Sequence, residues 1–302
     1  MRDISKIRTD LALEAREVWQ ENAEKTTQLA GVKSRDEQKH GYTVTTVSIL
    51  DEQGEKALCK PIGDYITIEL DRLIRREENA FTDCAQLLGE VLSSLLGELP
   101  GDKPVLIAGL GNAVITPDAI GPWAVDNVIV TRHLKQHAPK DFEAFRSVAA
   151  LRSGVLGTTG IESARLISIV ADELQPIAVI AIDALASRNM ERLCRTLQIT
   201  NTGIVPGSGV GNSREALSKA TLGVPVIAIG VPTVVDAATL TAELAAHAGV
   251  ELPADSLQSG DMIVTPRDID RSARDAAKLV GYGVNLALHK GLTVADIDML
   301  LS

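Results

Sequence analysis

Two aspartates in this chain stand where apolar segments run out. In "AVIAIDALASR", residues 178–188, five apolar residues lead straight into Asp183. In "PVLIAGLGNAVITPDAIGP", residues 104–122, Asp118 follows an aliphatic run after a short loop. A single Asp in such a place is commonly a helix cap or a turn former. Two carboxylates brought together repel, so one keeps a proton while its partner stays charged. Such a pair can activate a water and protonate a leaving amine, the two proton transfers that peptide hydrolysis needs. It can equally hold a metal ion, and the residues alone leave both chemistries open.

Other motifs carry less. "GLGNAV" (109–114) starts like a dinucleotide fingerprint but has Val114 at the third glycine position. "PGSGVGN" (206–212) has Pro206 where a nucleophile elbow needs Gly, so Ser208 is not that kind of serine. The stretch reads as a tight loop that uses glycine for unusual backbone angles. His133 and His137 in "HLKQH" share a helix face, but no Glu follows His133 as a zinc-protease motif requires. A solvated helix end accounts for them, and His40, His247 and His289 are isolated. Arg188, five residues after Asp183, is a candidate for gripping a substrate carbonyl or carboxylate, with a structural ion pair as the alternative.

The elements that must position these acids follow from periodicity. Leu11, Ala15 and Val18 predict a helix over 8–22, with Thr9 or Asp10 able to cap it. Residues 23–40 are polar and read as a loop. A period of two in "YTVTTVSIL" and "DYITIEL", separated by "DEQG" as a turn, predicts a small β extension over 41–70. A helix near 73–97 ends before Pro100–Gly101. Strands at 104–110, 145–151, 177–183 and 224–230 then alternate with helices near 119–136, 160–174, 235–248 and 267–289. This pattern predicts an α/β fold, a mostly parallel sheet covered by helices on both faces. Ligands of such folds sit beyond the carboxyl ends of the strands, where Asp118, Asp183 and "GIVPGSGVGN" (203–212) can meet.

Composition sets the bounds. The 302 residues suffice for one large domain, and 45% hydrophobic with only 3% aromatic residues leaves packing to aliphatic side chains. A net charge of −10 argues against a nucleic-acid or anionic-membrane partner. Cys59, Cys84 and Cys194 form no C-x-x-C pair, which argues against a disulfide framework and fits a reducing cytoplasm. The first residues hold no apolar signal core and no run approaches a membrane span, so the chain reads as soluble and intracellular.

The strings "IRTDLALEAR", "GLGNAVITPDAIGPWAVDN", "GVLGTTGIESA", "AIDALASR", "NTGIVPGSGVGN" and "LGVPVIAIGVPTVVDA" resemble the germination protease of spore-forming bacteria, from about residue 7 to 290. The resemblance implies an endopeptidase of the developing spore's cytoplasm that degrades small acid-soluble spore proteins. It also implies a zymogen, a homotetramer and an α/β peptidase fold, with Asp118 and Asp183 as the catalytic acids. The matching processing junction is Asp10–Leu11, which makes 1–10 a propeptide and 11–302 a single peptidase domain. The propeptide "MRDISKIRTD", with three Arg or Lys residues, is expected to lie as a basic arm across an acidic active-site edge. An insertion of longer members is missing near 250–265.

"GLGNAVITPDAIG" and "AIDA" are also similar to the hydrogenase-maturation peptidases, whose phosphorylase/hydrolase-like fold the resemblance implies here. Those enzymes use a Glu, an Asp and a His on a metal. Asp118 and Asp183 match the acids, but no histidine falls in a comparable loop after 183, which favours an aspartic-type mechanism without metal or cofactor. The alternatives are a metal-assisted maturation-type peptidase acting on another protein, and a non-enzymatic small-molecule-binding module.

Overall fold

In the computed structural model, which describes residues 9–22, 29–208, 214–250 and 262–302, helix α1 (Ala12–Asn22) comes first. Three strands follow, β1 (Val32–Lys39), β2 (Tyr42–Ile49) and β3 (Gly63–Glu69), paired antiparallel. Helix α2 (Glu52–Leu58) joins β2 to β3 where the sequence suggested a turn. Asp51 caps it, its carboxylate accepting from the Gln53 and Gly54 N–H groups. Helices α3 (Asp71–Ile74) and α4 (Ala80–Leu96) lead into β4 (Val105–Leu110).

From there helices and strands alternate. After β4 come α5 (Ile120–Val125), α6 (Arg132–His137), β5 (Val148–Gly154), α7 (Leu156–Thr159), α8 (Ser163–Leu174) and β6 (Ala178–Ala186). The chain continues through β7 (Thr196–Thr200), α9 (Lys219–Leu222), β8 (Val226–Asp236), α10 (Ala237–His247), β9 (Ile263–Val264), α11 (Ile269–Leu288) and α12 (Val294–Leu301). The single helix expected over 119–136 is thus two, α5 and α6.

Among the described residues, all nine strands join one sheet, in the order β1-β2-β3-β7-β8-β6-β4-β5 with β9 on the end of β8. The four aliphatic runs read from the sequence, β5, β4, β6 and β8, lie side by side and parallel. The extension is an antiparallel wing of the same sheet, attached through β3 to β7 and through β7 to β8. Strand β1 forms where a polar loop was expected. Its sequence VKSRDEQK faces solvent along most of its length, as a charged edge strand does.

Alternation along β4 divides the core. Val105 and Ile107 face a cluster with Leu87 and Leu88 of α4 and Leu279 and Val280 of α11. Leu106 and Ala108 face the opposite side, against Ala164 and Ile167 of α8. The parallel strands therefore have two buried faces, which explains their unbroken aliphatic character. A third cluster packs Ala12, Leu13 and Ala15 of α1 on Val47, Ile49 and Tyr65 of the wing. No helix among the described residues is long and apolar enough to cross a membrane.

Gly121 sets the closest approach in this framework. A Cβ there would lie 2.3 Å from the Leu110 carbonyl oxygen and 2.4 Å from that of Ile182. Its absence lets α5 rest directly on the two strands that carry the acids. Gly121→Ala is expected to cost roughly 1–3 kcal/mol or more in denaturant unfolding, because neither carbonyl can move aside. Gly157→Ala, with nothing within 4 Å, is the neutral control.

Candidate active site

Asp118 lies on a short 3₁₀ turn, Thr116–Asp118, after β4. The turn folds back on Gly111, whose φ of +101° and missing Cβ are both needed, since a Cβ would sit 2.1 Å from the Asp118 carbonyl oxygen. The Asn112 N–H then donates to Asp118 Oδ2 at 2.9 Å. Two hydroxyls hold the turn from outside: Thr233 donates to the Pro117 carbonyl at 2.6 Å, and Thr116 to Asp270 at 2.6 Å.

Asp183 sits inside β6, three residues before its end, and not past a strand end as the apolar run suggested. It pairs in register with Gly230 of β8 and is buried, with its Oδ1 accepting from the Ala184 N–H at 2.9 Å. Both acids line one cleft of about 300 Å³ with Asp10, Ser163, Arg214 and Thr233. Arg214 ion-pairs with Glu162 at 3.5 Å.

Burial raises the pKa of both acids. Asp118 is pushed up to about 6, chiefly by desolvation, against the opposing pull of the Asn112 N–H and the Arg214 charge. Asp183 is raised well above the ordinary carboxylate value, first by desolvation and then by the negative charge of Asp118. One proton shared between unequal carboxyls is the state that serves one group as acid and the other as base.

Asp10 is the residue whose role the sequence hid. It does not cap α1. Its N–H donates to the Ala186 carbonyl at 2.9 Å, and the Ala186 N–H donates back to its Oδ2 at 2.8 Å. The Ser208 hydroxyl donates to Oδ1 at 2.6 Å, and Gln198 Nε2 donates to the Asp10 carbonyl at 3.1 Å. The residue before it is tied as well, by a 3.1 Å bond from Lys60 Nζ to the Thr9 carbonyl. Leu11 is fully buried beside this seat. Residues 1–8, and with them the basic arm, lie outside the described residues, as do 209–213 of the glycine loop and 251–261 of the shortened region.

Arg188 is placed elsewhere. It is 8% exposed and does not line the cleft. Its guanidinium meets Glu21 at 2.5 Å and Glu243 at 3.5 Å, the structural ion pair left open above. The carboxylate that organises this region is Glu14, fully buried and unmarked in the sequence apart from lying four residues after Asp10. It accepts from the Ser187 hydroxyl (2.6 Å), the Arg188 N–H (2.7 Å), the Asn189 N–H (3.2 Å), Arg192 (3.2 Å) and the Thr9 hydroxyl (2.5 Å). None of the described histidine side chains lines the cleft. His40 pairs with Glu90 at 3.0 Å, and His289 is buried with its pKa lowered to about 4 by desolvation.

Comparison with known proteins gives a family match. A family model described as germination protease matches residues 12–252. Curated proteins named germination protease are similar along nearly the whole chain. That of Caldanaerobacter subterraneus subsp. tengcongensis is 45% identical, covering 98% of each chain. That of Clostridium tetani is 39% identical, covering 98% of this chain and 99% of its own. That of Bacillus cereus strain AH187 is 37% identical, covering 95% of each. These alignments run over 323 to 350 positions against 302 residues here, so the relatives carry residues that this chain lacks.

An acid held protonated by burial binds its proton more tightly folded than unfolded. Stability therefore falls as pH rises from the ordinary value of 3.8 through about 6 for Asp118, and through a higher range for Asp183. Asp183→Asn should raise the unfolding midpoint at about pH 8, should change it little at about pH 4, and should flatten the decline between them. Thermal unfolding at the two pH values measures this.

Proposed function

The chain belongs to the germination protease family, and we propose that within it the chain cleaves small acid-soluble spore proteins, with Asp118 and Asp183 as its catalytic pair. The chain is an endopeptidase acting in germination. The observation that carries the finer reading is the meeting of two unequal carboxyls in one cleft, Asp183 buried and Asp118 partly so, with Asp10 of the chain's own N-terminal segment in the same lining. The ionised member takes a proton from water as the oxygen attacks the peptide carbonyl. The protonated member gives its proton to the leaving nitrogen as the carbon–nitrogen bond breaks.

The seat of Asp10 supports the zymogen reading. With Asp10 seated in the cleft lining, the chain's own N-terminal segment stands beside the acids and competes there with a separate polypeptide. Cutting between Asp10 and Leu11 by the same acids would free the cleft and give the processed enzyme. Among the described residues lining the cleft, the acids are Asp10, Asp118 and Asp183, and no His or Cys joins them, which speaks against a His-ligated metal of the maturation-peptidase kind. Assembly as a homotetramer in the developing spore's cytoplasm completes the reading. The exposed edge strand β1 offers an unpaired backbone that a second copy can cover.

Incubating the processed protein with a small acid-soluble spore protein, with and without a chelator, tests the reaction. Cleavage is expected in both, and Asp118→Asn and Asp183→Asn should each lower it by about a thousandfold or more with the fold intact. Near-native turnover in either variant would remove that acid from the mechanism, and loss of activity with chelator would favour a metal-assisted peptidase. Light scattering should give a tetramer; a stable monomer at working concentration would overturn the assembly and leave the chemistry untouched.

A further inference from the structure

Gln198 is a buried amide on β7 that brackets the junction at Asp10–Leu11. Its Nε2 donates to the Asp10 carbonyl at 3.1 Å, and its Oε1 accepts from the Ala12 N–H at 2.7 Å. One partner can only accept and the other can only donate, so the orientation of the amide is fixed. Gln198 and Asp183 both pair in register with Gly230, from opposite sides of β8. Side chains of directly paired residues share a sheet face. The amide therefore stands two strands from Asp183 on the same face, with the Leu185 side chain packed into the space over Gly230 between them.

We infer that Gln198 is a catalytic residue of the self-cutting step, holding and polarising the carbonyl of Asp10 while the acid pair works on the carbon and nitrogen of the same peptide bond. The inference rests on the reading that the junction is Asp10–Leu11 and that the aspartates cut it. As water adds to the Asp10 carbonyl carbon, negative charge develops on the oxygen that already faces Nε2. Gln198 stabilises that charge by a hydrogen bond and transfers no proton. The water's proton goes to the ionised carboxylate, the other carboxyl's proton goes to the Leu11 nitrogen, and the carbon–nitrogen bond breaks. The second bond, from Ala12, keeps the chain on the leaving side in register. A donor preorganised on such an oxygen contributes about 10²–10³ in rate.

A purely structural role, gluing α1 to the wing, predicts different behaviour. The titratable groups around the adjoining cavity that holds this amide are Asp10, Lys60, Cys59 and Tyr65, and Leu185 packs over Gly230 on the side toward Asp183. The test follows appearance of a chain beginning at Leu11 by mass spectrometry, as a first-order rate across mildly acid to neutral pH, in the full-length protein. Gln198→Met should process about 10²–10³ times more slowly at every pH, with the shape of the pH profile unchanged. Gln198→Glu should process faster than Gln198→Met at acid pH, where the protonated carboxyl still donates. It should fall behind wild type as pH rises and the donor is lost. Processing of Gln198→Met within threefold of wild type, or faster, overturns the inference. If that variant fails to fold, Gln198→Glu decides: a constant ratio to wild type across pH overturns it. A wild-type chain that does not cut at Asp10–Leu11, or an Asp183→Asn chain that cuts equally fast, overturns the underlying reading and the inference with it.

Discussion

A carboxyl group placed inside the central strand of a sheet is the constraint that the rest of this structure accommodates. Asp183 is 6% exposed, in a strand whose neighbours are aliphatic. An ionised carboxylate there is costly unless something pairs with it, so the group is driven toward its protonated form. The surroundings are arranged around that cost and do not remove it. Gly230 stands beside Asp183, the close contact at Gly121 brings α5 onto the same strands, and Gly111 lets the turn with Asp118 fold inward. Asp118 is the more ordinary acid of the two, with a backbone donor on one oxygen and Arg214 near by. Inequality between the two sites is what the geometry achieves.

Glu14 supplies the second organising principle, and it works in the opposite sense. This carboxylate is fully buried yet richly matched, by two backbone N–H groups, two hydroxyls and the Arg192 guanidinium. It fixes α1 to the segment that follows β6, and so fixes Asp10 opposite Ala186. The two buried acids, Glu14 and Asp183, thus differ in kind. Hydrogen bonding holds Glu14 in place as structure, whereas Asp183, with a single backbone donor from Ala184, keeps a carboxyl raised in pKa by burial.

The central sheet was legible because burial on both faces leaves an unmistakable aliphatic record in β4, β6 and β8. Asp183 was legible for the same reason, as a polar residue that interrupts it, and Asp118 as an acid a short loop beyond the end of β4. The polar strand β1 was not, because an edge strand exposed along its length has no alternation to read. Strand β7 escaped because "TLQIT" is short and its buried Gln198 and threonines look like surface residues. Arg188 looked like a site residue because it is near Asp183 in sequence, but β6 continues past Asp183 and carries the guanidinium away to Glu21 and Glu243. The partners of Asp10 lie 176 to 198 residues away, a pairing that no local pattern encodes.

The seat of Asp10 has a consequence for how the cleft meets other polypeptides. A segment covalently attached next to the cleft it lines competes at an effective concentration on the order of millimolar, set by the short tether and independent of how much protein is present. Dilution cannot release it, and a free polypeptide must exceed that local concentration, weighted by relative affinity, to displace it. Under the proposed cut at Asp10–Leu11, the same segment would become an ordinary solute at the concentration of the protein itself. Its hold on the cleft would then fall with every dilution, and occupancy would pass from a property of the molecule to a property of the solution.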